Sequence, residues 1–101
     1  MKLVQIFLPL TDNKNWKVGG REFQEVRAEL TESFGGLTIY SRSPAEGLYQ
    51  SGGEVARDDS VVFEVMTEEL DRPWWADFRK RLEAHFRQEE ILIRAVDTIK
   101  L

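Results

Sequence analysis

Asp59-Ser60-Val61-Val62-Phe63-Glu64-Val65-Met66 is the stretch whose reading decides this fold. Side chains alternate across a strand, so Val61, Phe63 and Val65 share one face while Val62, Glu64 and Met66 share the other. Both faces are apolar apart from one carboxylate. That pattern predicts a central strand, with Glu64 held on a covered or semi-covered side of the sheet.

A second stretch reads the same way. Along residues 2–10, Val4, Ile6 and Leu8 face one side and Leu3, Gln5 and Phe7 the other, with Pro9 marking the end because it lacks a ladder donor. The rest of the chain supplies the partners. Phe23, Val26, Leu30 and Phe34 recur at helical spacing over residues 20–34, and Gly35-Gly36 supplies a left-handed stop. Leu37-Thr38-Ile39-Tyr40-Ser41-Arg42 alternates as a strand. A long connection, residues 43–58, carries an internal hairpin with Leu48-Tyr49-Gln50 and Glu54-Val55-Ala56 on either side of Ser51-Gly52-Gly53.

Asp71 caps a second helix with Pro73 in its first turn. That helix is expected to run to about Gln88, burying Trp75, Phe78, Leu82 and Phe86 and leaving a solvated charged face of Asp77, Arg79, Lys80, Arg81 and Glu83. A last strand covers residues 90–96. Trp16, in the polar loop after the first strand, is expected to pack over the core's edge. One of Trp74 and Trp75 belongs in the core, and the other could close an end of the sheet cavity.

The order strand, helix, strand, strand, helix, strand, with right-handed crossovers, predicts an α+β ferredoxin-like βαββαβ sandwich. It has a four-stranded antiparallel sheet with both helices on one face, in a single domain spanning residues 1–101. The first and third strands are central in that topology, and they are the two that read as buried on both sides. The helix-packed face then carries only apolar residues, among them Ile91, Ile93 and Ala95. The other face carries Leu3, Gln5, Phe7, Thr38, Tyr40, Arg42, Val62, Glu64, Met66, Leu92, Arg94 and Val96. About half of these are apolar, more than a wet sheet face needs, so a second copy of the chain is expected to cover it as a homodimer.

The polar members of that face are the candidate site. Gln5 is expected between Glu64 and Arg94, with Tyr40 on the far side of Glu64. In an apolar enclosure Glu64 could act as a general acid or base, Arg94 and Arg42 as anion clamps, and Tyr40 and Gln5 as orienting groups for a small molecule. The competing reading is a structural Glu64–Arg94 ion pair at an interface, satisfied by Gln5 and Tyr40.

Composition excludes several classes. There is no cysteine, hence no disulfide framework, no thiolate metal site and no thiol catalysis, which accords with a cytoplasmic home. With 14 basic against 18 acidic residues and a net charge of −4, no nucleic-acid or anionic-membrane partner is expected. An RNA-recognition module shares the topology but needs aromatic rings where Val62, Glu64 and Met66 stand. His85 is the lone histidine and builds no metal site. The glycine pairs lack phosphate-loop spacing, and no cofactor is expected. The apolar start is too short to span a membrane.

Four stretches carry a resemblance. Val4-Gln5-Ile6-Phe7-Leu8-Pro9-Leu10, Leu30-Thr31-Glu32-Ser33-Phe34-Gly35-Gly36-Leu37-Thr38, Ser43-Pro44-Ala45-Glu46-Gly47 and the helix from Trp74-Trp75 to Phe86-Arg87-Gln88 resemble a group of short, uncharacterised (hypothetical) bacterial proteins over nearly the whole chain. That resemblance implies no activity. At the level of fold the chain is similar to dimeric α+β barrel proteins, which include cofactor-independent monooxygenases, chlorite-dismutase-like haem proteins and muconolactone-isomerase-like enzymes. None of their residue patterns is matched, so the likeness points to the sheet face and to no particular reaction.

Overall fold

A computed structural model describes residues 1–10, 19–40, 47–51, 54–58 and 60–101; for residues 47–60 only the backbone is described. The elements are β1 (Lys2–Pro9), α1 (Gly20–Phe34), β2 (Thr38–Tyr40), β3 (Gly47–Ser51), β4 (Glu54–Asp58), β5 (Ser60–Thr67), α2 (Arg72–His85) and β6 (Ile93–Asp97). The main sheet has the order β2-β5-β1-β6, and β3 and β4 pair with each other in a separate two-stranded sheet. All pairings are antiparallel. With both helices packed on one face of the main sheet, this is the α+β ferredoxin-like arrangement, β1 and β5 being central.

Period-two alternation accounts for the core. Val4, Ile6 and Leu8 of β1 and Val61, Phe63 and Val65 of β5 join Val26, Leu30, Trp75, Phe78, Leu82, Phe86 and Ile91 in one buried cluster. Phe63, Phe78 and Phe86 are the largest fully buried side chains, and each such burial contributes about 1.5–3 kcal/mol. Aromatic edges fit into faces. Phe23 meets Phe86 edge-on with centroids 5.3 Å apart, and Phe34 stacks on Trp75 at 5.3 Å.

The helix ends show their causes. Gly35 follows α1 with φ 76°, and its N–H donates to Thr31 O; a side chain there would be strained. Asp71 accepts a hydrogen bond from Trp74 N at 3.1 Å, with Pro73 just inside the helix. Instead of continuing to Gln88, α2 stops at His85. Arg87 takes φ 53°, Arg87 N donates to Ala84 O, and Gln88 N donates to Glu83 O at 2.9 Å. That is a Schellman stop with arginine in the position that usually holds glycine, which is why the sequence did not show it.

Three further expectations change. First, β6 begins at Ile93, not residue 90, because Ile91 N bonds to the Glu83 carboxylate at 3.0 Å and not to the ladder. Second, the charged face of α2 is only partly a solvated one. Arg81 grips Glu29 of α1 with two bonds of 3.1 and 2.9 Å and also takes Asp77 at 2.9 Å, so it braces one helix against the other. Third, Ala95 is exposed although it points to the helix side, because the helix layer does not close over β6. Trp16 and Arg42 lie outside the described residues. Among the described residues no helix is long and apolar enough to cross a membrane.

Phe63→Ala should lower the unfolding free energy by about 3–5 kcal/mol through loss of burial and the cavity left behind. Asp71→Ala should cost about 1 kcal/mol through loss of the cap. Urea denaturation with an unchanged slope checks both.

Candidate functional site

The register of the sheet builds the polar row on its helix-free face. Gln5 of β1 stands opposite Glu64 of β5 on one side and Arg94 of β6 on the other, and Thr38 of β2 stands opposite Glu64. Directly opposed residues have neighbouring side chains. Gln5 uses both ends of its amide: Nε2 donates to Glu64 Oε1 at 2.7 Å, and Oε1 accepts from Arg94 Nε at 2.8 Å. The Arg94 guanidinium also lies over the Phe7 ring, 4.9 Å from its centroid, a favourable cation–π placement.

Tyr40 lies on the far side of Glu64 from Gln5, but not directly opposite it. Its register partner is Val62, and its phenol reaches Glu64 as a diagonal neighbour. Glu64 and Arg94 also form no direct ion pair, because Gln5 stands between them. The row therefore reads Tyr40, Glu64, Gln5, Arg94, a negative group and a positive group joined through a neutral amide. Glu64 and Gln5 are half-buried, whereas Tyr40 and Arg94 are exposed. The Glu64 charge is the main cause that holds the Tyr40 phenol above its ordinary 10.0; its hydrogen bond to that carboxylate comes next and burial last.

Apolar side chains border the row. Tyr40 is 48% exposed, Met66 39%, Leu92 52% and Val96 44%, while Val62, between Phe7 and Tyr40, is covered at 5%. No tryptophan from α2 reaches this face. Trp74 packs on the helix side, edge-on to Phe34 at 5.3 Å and stacked on Phe78 at 5.0 Å, so the idea that it closes the sheet cavity is corrected. His85 also belongs to the helix layer. Its Nε2 lies 2.9 Å from Glu25 Oε2, an ion pair only when the ring is protonated, and one poorly aligned as a hydrogen bond. Among the described residues no three of His, Cys, Asp and Glu gather as a metal-binding group.

A basic cleft was not anticipated from the sequence. Lys2, Arg72, Arg79 and Arg94 border an open cleft of about 360 Å³ on the helix side, between α2 and β6. Arg72 and Arg79 are seven positions apart on one helix, which puts them on one face; that spacing was the available signal.

Comparison with known proteins places the fold. No family model matches the chain, and no curated protein matches it by sequence. Among solved structures, it is similar to the divalent cation tolerance protein CutA1 from Thermus thermophilus, with TM-score 0.62 and 17% identity over 99% of this chain and 86% of that one. It is similar to the PII-like protein CutA from Nostoc sp. PCC 7120, with TM-score 0.54 and 15% identity over 97% and 81%. A phage SAM lyase in complex with S-methyl-5'-thioadenosine matches with TM-score 0.58 and 16% identity over 95% and 80%. At these identities the likeness is one of fold.

Tyr40 should titrate above the ordinary tyrosine range, and Glu64→Gln should bring its midpoint down by removing the charge. A raised pKa reflects a stabilised protonated form, so this contribution is full below pH 10 and is lost as pH rises through the folded-state midpoint. Ultraviolet difference titration, with Tyr40→Phe assigning the signal, measures it.

Proposed function

We propose that the helix-free sheet face is where two copies of this chain meet, and that the row of Tyr40, Glu64, Gln5 and Arg94 binds a small molecule or anion enclosed there. One observation carries this reading: a continuous hydrogen-bonded polar row crosses a face whose Tyr40, Met66, Leu92 and Val96 remain exposed. Exposed apolar groups on both sides of a polar row suit an interaction site. The row is also self-complementary. A two-fold axis near Gln5 would set the positive end of one row against the negative end of the other, which suits an isologous dimer. A lyase of the same fold is in complex with a small molecule, so the fold is compatible with such a site.

In this reading Arg94 receives an anionic group, and Arg42, outside the described residues, is a second clamp. Gln5 and Tyr40 orient the ligand, and Glu64 accepts its hydrogen bonds or exchanges a proton with it. A cofactor-free acid–base step at Glu64 is the enzymatic form of the proposal. The absence of cysteine accords with a cytoplasmic setting. The divalent cations in the Thermus protein's name do not enter this proposal, because the described residues gather no donor group for them. A second reading, a non-catalytic assembly module, is favoured by the way Gln5 spends both amide ends inside its own chain. There the row specifies the interface alone.

Sedimentation velocity at micromolar concentration should show a dimer, and Leu92→Glu should give a folded monomer; a monomeric parent protein overturns the proposal. Glu64→Gln should keep the fold and change the thermal-shift response to a metabolite panel. An unchanged response to a ligand so identified favours the assembly module.

A further inference from the structure

The cleft between α2 and β6 opens on the helix side of the sheet, and of the polar row on the other face only Arg94 also borders it. Arg72, Trp75 and Arg79 line it from α2, Ile93, Arg94 and Ala95 from β6, and Lys2 from β1. Residues 72, 75 and 79 recur at three and four positions, so they form one stripe along the helix. Seven residues of helix set the two arginines about 10 Å apart along the axis. Between them lies the small exposed part of Trp75, otherwise buried in the core, with the apolar side of β6 across from it.

The cations are only partly neutralised. The Arg72 side chain has no hydrogen bond or ion pair to another described residue. Arg79 Nε stands 4.0 Å from a Glu83 oxygen that already accepts from Ile91 N. Lys2 is paired with Asp97 at the rim. Among the described residues that line the cleft, none is acidic, in a chain whose net charge is −4. A concentration of positive charge against the sign of the whole chain is not what solubility alone requires.

We propose that this cleft is a binding site for a small organic dianion with a flat apolar body. Arg72 and Arg79 hold its two charged groups, and its body lies between Trp75 and the exposed Ala95 of β6. Guanidinium forks match carboxylate and phosphate oxygens, and the apolar floor of Trp75, Ile93 and Ala95 favours a flat apolar body. The exposure of Ala95 follows, since a helix layer packed down on β6 would leave no room for a ligand.

The test is calorimetric titration of the full chain with terephthalate, a flat dianion, at low ionic strength, alongside an NMR record of the indole N–H of Trp75. One saturable site is expected, with that resonance shifting in step. Arg72→Gln and Arg79→Gln should each weaken binding about tenfold, the scale of one charged hydrogen-bonding contact. Arg27→Gln, on the exposed side of α1, should leave it unchanged. Arg72 and Arg79 are exposed, so circular dichroism should show the fold intact in either variant. The proposal is overturned by an absence of saturable uptake, or by equal weakening with Arg27→Gln, which would mean general charge attraction. Tighter binding of pyrophosphate than of terephthalate overturns the flat apolar body. Leu92→Glu, on the opposite face, should not affect this binding, so a failure of the dimer proposal and a failure here are distinguishable.

Discussion

The pairing of β1 with β5 is the constraint from which the rest of the molecule follows. Ile6 stands opposite Phe63, and both are buried under the helices. Because the side-chain period is two, their neighbours Gln5 and Glu64 are opposed to each other on the other face. A slip of one residue would send Gln5 and Glu64 into the helix core and Ile6 and Phe63 out of it, so hydrophobic burial enforces the register strongly. The polar row is thereby positioned by the core beneath it. Gln5 then reaches Glu64 and Arg94 together because β1 lies between the two strands that carry them.

The two sides of the sheet reach different states by the same physics. On the helix side nearly all apolar residues of β1 and β5 are covered, and aromatic packing between α1 and α2 fills the space. Arg81 fastens the helices at their outer edge. The exception is β6, where α2 stands off and leaves a basic cleft. On the opposite side apolar groups remain exposed around a polar row with its own internal bonds. The molecule thus has two unlike faces, one with a basic cleft on the helix side and one with exposed apolar groups around a polar row on the sheet side.

Much of the fold was legible because it rests on local periodicity. The stripe of Phe23, Val26, Leu30 and Phe34 marked α1, Asp71 and Pro73 marked the start of α2, and the alternation along residues 60–67 marked β5. Misjudged boundaries came from interactions that local pattern does not carry. Arg87 ends α2 in a conformation usually left to glycine. The Glu83 carboxylate takes Ile91 N away from the sheet and delays β6. Trp74 was ambiguous because a residue beside a buried stripe can turn either way; Phe34 and Phe78 draw it to the helix side.

By itself the sequence determined the element order, the two central strands, and the set of residues on each sheet face, since these depend on spacing and on the period of two. Tertiary structure alone decided how those residues meet. Tyr40 reaches Glu64 on the diagonal, the Gln5 amide bonds to Glu64 and Arg94 at once, and Arg72 and Arg79 become one side of a cleft beside β6. Such outcomes depend on strand register and on the distance between layers. Both are set by the packing of the whole core, which no local stretch contains.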